Sequence, residues 1–133
     1  MYVKLGIVRY GYQHMAFLSP ESKGAAEASE CAAEQGRFWE YHDKLFASQG
    51  SAGGFSKDKL KTYAAELKLD PARFNSCIDS GKYSSTVENE TASAQAFGIT
   101  STPAFLINGQ PLVGAQPFEK FQQIIEAERS KKK

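Results

Sequence analysis

The sequence predicts an α/β chain in the order strand, helical block, β-hairpin, closing helix. Three observations predict it. A run of β-formers stands near the start, at Ile7, Val8, Tyr10 and Tyr12. Two cap-plus-proline signals, Ser19-Pro20 and Asp70-Pro71, open helical stretches in the middle of the chain. Asn108-Gly109, the strongest two-residue hairpin signal, separates the apolar run Ala104-Phe105-Leu106-Ile107 from Leu112-Val113.

Taken in order, Tyr2-Val3-Lys4 followed by Leu5-Gly6 reads as a last helical turn with its glycine stop. Residues 7–15 read as a strand. Ser19 caps a helix that runs through an alanine-rich stretch to about Gln35, and Gly36 ends it. Phe38, Trp39, His42, Leu45 and Phe46 recur at helical spacing, so 37–48 is a second helix whose aromatic face is expected in the core. The glycines between Gln49 and Phe55 make that stretch the one flexible connection. Ser56 caps a third helix with Leu60, Tyr63, Ala64 and Leu67 on one face; Asp70-Pro71 opens a short fourth carrying Phe74, Cys77 and Ile78, stopped by Gly81. A fifth is expected over about 83–97, stopped by Gly98. Pro111 lacks an N–H and places the second hairpin strand at a sheet edge; Pro117 opens the last helix, with Phe118, Phe121, Ile124 and Ile125 as its apolar stripe.

Bulk properties exclude several function classes. A chain of 133 residues fits one domain and folds with roughly two-thirds of its unfolded surface buried. A net charge of +1 gives no footprint for nucleic acid or anionic membranes, and Lys131-Lys132-Lys133 reads as a solvated helix end. No apolar run approaches the roughly 20 residues of a membrane span, and the first residues lack a signal-peptide layout, so the reading is a soluble chain. The two cysteines, Cys31 and Cys77, have neither a second Cys nor a His at metal-ligand spacing. Composition leaves open whether they form one disulfide or remain two thiols.

The segment Gly98-Ile99-Thr100-Ser101-Thr102-Pro103-Ala104-Phe105-Leu106-Ile107-Asn108-Gly109 resembles the GVxGTPtfxING element of thioredoxin-fold oxidoreductases. A second stretch, Glu30-Cys31-Ala32-Ala33-Glu34-Gln35-Gly36-Arg37-Phe38-Trp39-Glu40-Tyr41-His42-Asp43, is similar to the inserted helical subdomain of the DsbA-like branch, as is Leu69-Asp70-Pro71 with Phe74, Cys77 and Ser80-Gly81-Lys82-Tyr83. The resemblance spans nearly the whole chain. It implies one DsbA-like domain over 1–133, with 7–15 and 99–128 as the thioredoxin part and 20–97 as the helical insertion.

The resemblance also implies a cis Thr102-Pro103 bond whose loop binds an extended peptide, and a structural disulfide between Cys31 and Cys77. It implies protein or peptide substrates with cysteines, no cofactor, and a setting outside the bacterial cytoplasm. The family's first strand, Cys-x-x-Cys and helix would lie before Met1, so the chain is expected to be N-terminally truncated, with an incomplete sheet and no dithiol activity of its own. Thiol–disulfide exchange needs a low-pKa thiolate and a resolving partner. A non-catalytic peptide-binding module and the related isomerase or glutathione-transferase branch are the alternatives. An incomplete sheet is expected either to pair 7–15 directly with 104–107 or to borrow a strand by homo-oligomerising.

Other candidates carry less. On a continuous helix, Cys31 and His42 would stand about 16 Å apart, too far to share an ion. His42 is expected to pack beside a polar neighbour such as Asp43, and His14 to pack or face solvent. Glu27/Glu30/Glu34 are expected as a solvated helix face, and neither they nor Glu126/Glu128 form an acid–base pair.

Overall fold

A computed structural model describes residues 1–50 and 53–132. Ser51 and Ala52, in the glycine-rich connection, and Lys133, at the end of the lysine tail, lie outside the described residues, and with them both readings of those stretches. The elements are α1 (Pro20–Ala33), α2 (Phe38–Ser48), α3 (Lys57–Glu66), α4 (Pro71–Asp79), α5 (Ser84–Ala96), β1 (Ala104–Ile107), β2 (Gln110–Val113) and α6 (Phe118–Lys131). They divide into two compact units, His14–Ser93 and Met1–Gln13 with Ala94–Lys133.

In the helical unit the local signals act as read. The side chains of Ser19, Ser56 and Asp70 accept from the backbone N–H groups of Ser22, Lys59 and Arg73 and so satisfy donors that each first turn leaves open. At the end of α3 the chain turns on Lys68, at φ 59°, where the neighbouring helix ends use glycine; the Leu69 N–H reaches back to the Ala64 carbonyl and the Lys68 N–H to that of Ala65. The core gathers Ala25, Ala28, Cys31 and Ala32 of α1, Tyr41 of α2, Leu60, Tyr63 and Ala64 of α3, and Leu69, Phe74, Cys77 and Ile78 around α4. The small residues of α1 let its neighbours approach closely. Cys31 and Cys77 are joined by a disulfide across 5.9 Å between Cα atoms, closing a loop of 46 positions.

The aromatic face of α2 corrects an expectation. Trp39 is 42% and Phe46 61% exposed, and the fully buried residue of this helix is Tyr41. Its ring meets Phe74 at 5.5 Å and its hydroxyl donates to the Leu60 carbonyl at 2.9 Å. Leu45, one turn from Tyr41, is the member of the expected face that packs against the core, while Trp39 and Phe46 stand exposed. Helical spacing marks the face; the packing partners decide how much of it is buried.

In the hairpin unit, Asn108 and Gly109 take φ 49° and 83°, the paired left-handed geometry of a tight hairpin turn. β1 and β2 pair antiparallel with Ile107 opposite Gln110 and Ala104 opposite Val113. Phe105 meets Phe121 of α6 edge-on at 4.8 Å, and Glu128 accepts from Asn108 and Gln110, fastening the turn to that helix. The opening turn is held likewise: the Tyr2 hydroxyl donates to Glu126 at 3.0 Å, and the Gly6 and Ile7 N–H groups reach back to the Val3 and Tyr2 carbonyls.

The expected strand at 7–15 is absent: among the described residues the hairpin is the only sheet, and 7–15 has no ladder with 104–107. A β-former run is a strand only when a neighbour accepts its backbone groups. Direct pairing of those two segments is therefore not how this chain settles its sheet.

Candidate functional site

The segment singled out in the sequence sits between two well-anchored elements. Gly98, at φ 97°, ends α5, with the Ile99 N–H returning to the Ala94 carbonyl. The chain then crosses Thr100 and Ser101 to Thr102-Pro103, whose peptide bond is cis, and enters β1 at Ala104. The Pro103 carbonyl accepts from the Gly114 N–H at 2.8 Å, so the hairpin ladder continues as far as the proline. Ser101, Thr102 and Pro103 are all exposed. The result is an exposed backbone turn tied to the hairpin at the proline, with no titratable side chain in 98–107.

No thiol accompanies it. Both cysteines of the chain are in the Cys31–Cys77 disulfide, whose residues are buried in the helical core. The geometry is that of a cross-link between α1 and α4.

The remaining candidates resolve into packing. His14 is 3% exposed and its Nε2 lies 2.7 Å from Glu30, while its backbone N–H donates to Glu90 at 2.8 Å. The Ala16 N–H donates to Thr91, so 14–16 is tied to α5. Glu34 accepts from Lys82 and from the Tyr83 hydroxyl at 2.7 Å. Those donors hold the Glu34 carboxyl below its ordinary range, and the carboxylate in turn pushes the Tyr83 phenol up to about 12. Burial raises the Tyr41 phenol. Glu30 and Glu34 are thus partnered, which corrects the solvated-face expectation for them. The His14–Glu30 pair left no trace in the sequence: a separation of 16 positions across a loop matches no motif. His42 stands 3.0 Å from the Asp43 carboxylate and stacks in a ladder of rings, 5.3 Å from Trp39 and 4.8 Å from Phe46. α1 and α2 are separate helices, so the continuous-helix estimate between Cys31 and His42 does not apply.

A cis X-Pro turn leading into an antiparallel hairpin and a closing helix, with a helical segment inserted ahead of it, defines a thioredoxin-like fold. The sequence model of the thioredoxin family matches residues 1–127, and the chain belongs to that family. The chain is 38% identical over 122 residues to the Na(+)/H(+) antiporter NhaA of Herminiimonas arsenicoxydans, covering 92% of this chain and 19% of that protein. It is 35% identical over 105 residues to the Na(+)/H(+) antiporter NhaA 3 of Salinispora tropica, covering 77% and 16%. The chain therefore spans less than a fifth of the length of these curated relatives. The crystal structure of a thioredoxin-like oxidoreductase from Silicibacter pomeroyi DSS-3 superposes with a TM-score of 0.72 at 21% identity, over 90% of this chain and 67% of that one. That likeness establishes the fold. No helix among the described residues is long and apolar enough to cross a membrane.

Proposed function

We propose that this chain is the peptide-binding part of a DsbA-like thiol–disulfide oxidoreductase, with Thr102 and Pro103 as its substrate-contacting residues. The observation that carries the reading is the exposed cis Thr102-Pro103 turn held in register with β1 by the Gly114–Pro103 hydrogen bond. Such a turn presents main-chain N–H and C=O groups to an extended segment of a partner, which gives affinity without demanding one side-chain sequence. Residues 7–15 and 99–128 act as the thioredoxin part and 20–97 as the helical insertion, cross-linked by Cys31–Cys77.

In disulfide exchange a thiolate attacks one sulfur of a substrate disulfide and expels the other as a thiolate; a second thiol then resolves the mixed disulfide. These 133 residues hold no Cys-x-x-Cys and no free thiol, so the exchanging dithiol is not among them. The same observation favours the second reading, a peptide-binding module without redox chemistry. Antiport is not carried onto this chain, since the antiporters' names belong to proteins of which it matches a small part.

The test is titration of the labelled chain with an extended peptide whose cysteine is replaced by serine, followed by amide NMR. Shifts confined to Ser101–Phe105 and lost in Pro103→Ala support the reading. Shifts elsewhere, or none, overturn it. Insulin reduction by the chain alone is expected to stay at background, and robust turnover would contradict the placement of the dithiol.

A further inference from the structure

The hairpin ladder ends on a pair that cannot be completed in the ordinary way. In a tight hairpin closed by Ile107 and Gln110, hydrogen-bonded pairs recur at every second position, which makes Phe105–Leu112 and then Pro103–Gly114 the next two. Such a pair exchanges two bonds. The Gly114 N–H supplies one, to the Pro103 carbonyl at 2.8 Å. Pro103 has no N–H to return the other, which leaves the Gly114 carbonyl without its ladder donor. The Gln116 N–H takes that place, donating to the Gly114 carbonyl at 2.9 Å. The Gln116 side chain turns back as well: its Nε2 donates at 2.9 Å to the carbonyl of Val113, a position whose backbone groups point away from β1. One residue thus closes the turn at two carbonyls. Gly114 sits in that turn at φ 89°, in the left-handed region. The nearest atom that an added Cβ would meet is Gln116 Nε2 at 3.7 Å, an ordinary contact, so backbone conformation rather than space is what calls for glycine.

We infer that Gly114 and Gln116 are positioning residues of the candidate site: the turn they form sets the Thr102-Pro103 segment in place by holding the Pro103 carbonyl from the β2 side. Thr102 and Pro103 lie ahead of the paired residues of β1, and the Gly114 N–H ties them to β2. Neither positioning residue touches the peptide; both act through Pro103. The direction of the Thr102 main-chain groups, which the peptide reads, follows from the backbone angles at the proline. A side chain at 114 that draws φ to negative values turns the N–H off the Pro103 carbonyl and frees the segment. The hairpin itself keeps its bonds at Phe105–Leu112 and Ile107–Gln110 and the contact of Phe105 with Phe121. Gln116 acts one step further back, since its two bonds hold the carbonyls on either side of the Gly114 N–H.

The role rests on the peptide-binding reading of Thr102-Pro103, and the experiment separates the two. The whole chain and its variants are titrated with the same serine-substituted extended peptide, alongside amide exchange and urea unfolding. Gly114→Ala is expected to bind about fivefold to tenfold more weakly, with faster exchange at residue 114 and unchanged protection at Phe105 and Leu112. Gly114→Asn tolerates the left-handed region and should recover most of the affinity, whereas Gly114→Val should recover none. Gln116→Ala keeps its main-chain N–H, loses the Val113 bond and should weaken binding by about twofold to threefold, covering the case in which changes at 114 disturb the hairpin. A parent chain that binds while Gly114→Ala and Gln116→Ala bind equally well overturns the positioning role and leaves the peptide-binding reading standing. Affinity that falls only in step with the urea midpoint, or with lost protection at Phe105 and Leu112, also overturns it, since the turn would then serve the hairpin alone. A parent chain that binds no peptide defeats the reading itself, and the positioning role with it.

Discussion

The helical unit and the hairpin unit are built from similar amounts of apolar residue, yet one is closed and the other open. The helical unit buries twelve residues in one cluster, cross-linked through its centre by Cys31–Cys77. Among the described residues of the hairpin unit only Tyr2 and Ala94 are buried, while Met1, Val3, Leu5, Phe97, Val113 and Phe118 are exposed, and α6 buries no described residue fully. Four helices can each bury a stripe against three neighbours; a two-stranded sheet with one helix has too few layers to enclose an interior. Both units contain tight local turns, at Lys68 in one and at Asn108-Gly109 in the other. The difference therefore lies in tertiary partners.

Substitutions break the comparison at its strongest point first. Phe74→Ala empties the centre of the helical core and is expected to cost about 3–5 kcal/mol, whereas Phe118→Ala, at a side chain 55% exposed, should change stability little. Urea unfolding followed by circular dichroism separates the two; equal effects would mean that the units do not differ in packing. Replacing both Cys31 and Cys77 with alanine removes a cross-link over 46 positions, worth about 4 kcal/mol in the loop-entropy account. Amide exchange should accelerate across α1 and α4 and remain as before at Phe105 and Ile107.

Tyr41→Phe removes the buried hydroxyl that donates to the Leu60 carbonyl, which keeps its own helix bond, and should cost about 1 kcal/mol, read as a shift in urea midpoint. The pH dependence follows from Glu34. Its carboxyl is held below the ordinary value of 4.5 in the folded chain, so its contribution is complete above that value and is lost as pH falls through the lower folded one. Unfolding midpoints at pH 6 and pH 3 should differ less in Glu34→Gln than in the parent chain. The smallest effect is a gain: Lys68→Gly relieves a left-handed residue at the end of α3 and should stabilise the helical unit by about 0.5 kcal/mol.

Much of the molecule was legible because it is written in short-range chemistry. Ser19, Ser56 and Asp70 act within three residues of themselves, Gly36, Gly81 and Gly98 end helices through bonds to the preceding turn, and Asn108-Gly109 sets its own hairpin. Helix bounds read from such signals came within a few residues of those observed. The candidate site was legible for a different reason: Thr102-Pro103 stands at a fixed offset from the hairpin, so its place in the fold follows once β1 is found.

What the sequence by itself determined, then, is where elements begin and end, because caps, glycine stops and tight turns are satisfied locally. Tertiary structure alone decided which face of α2 is buried, that His14 pairs with Glu30, and that 7–15 forms no strand. Each of these depends on a partner distant in sequence, and a hydrogen bond or an apolar stripe takes its meaning from the group that meets it.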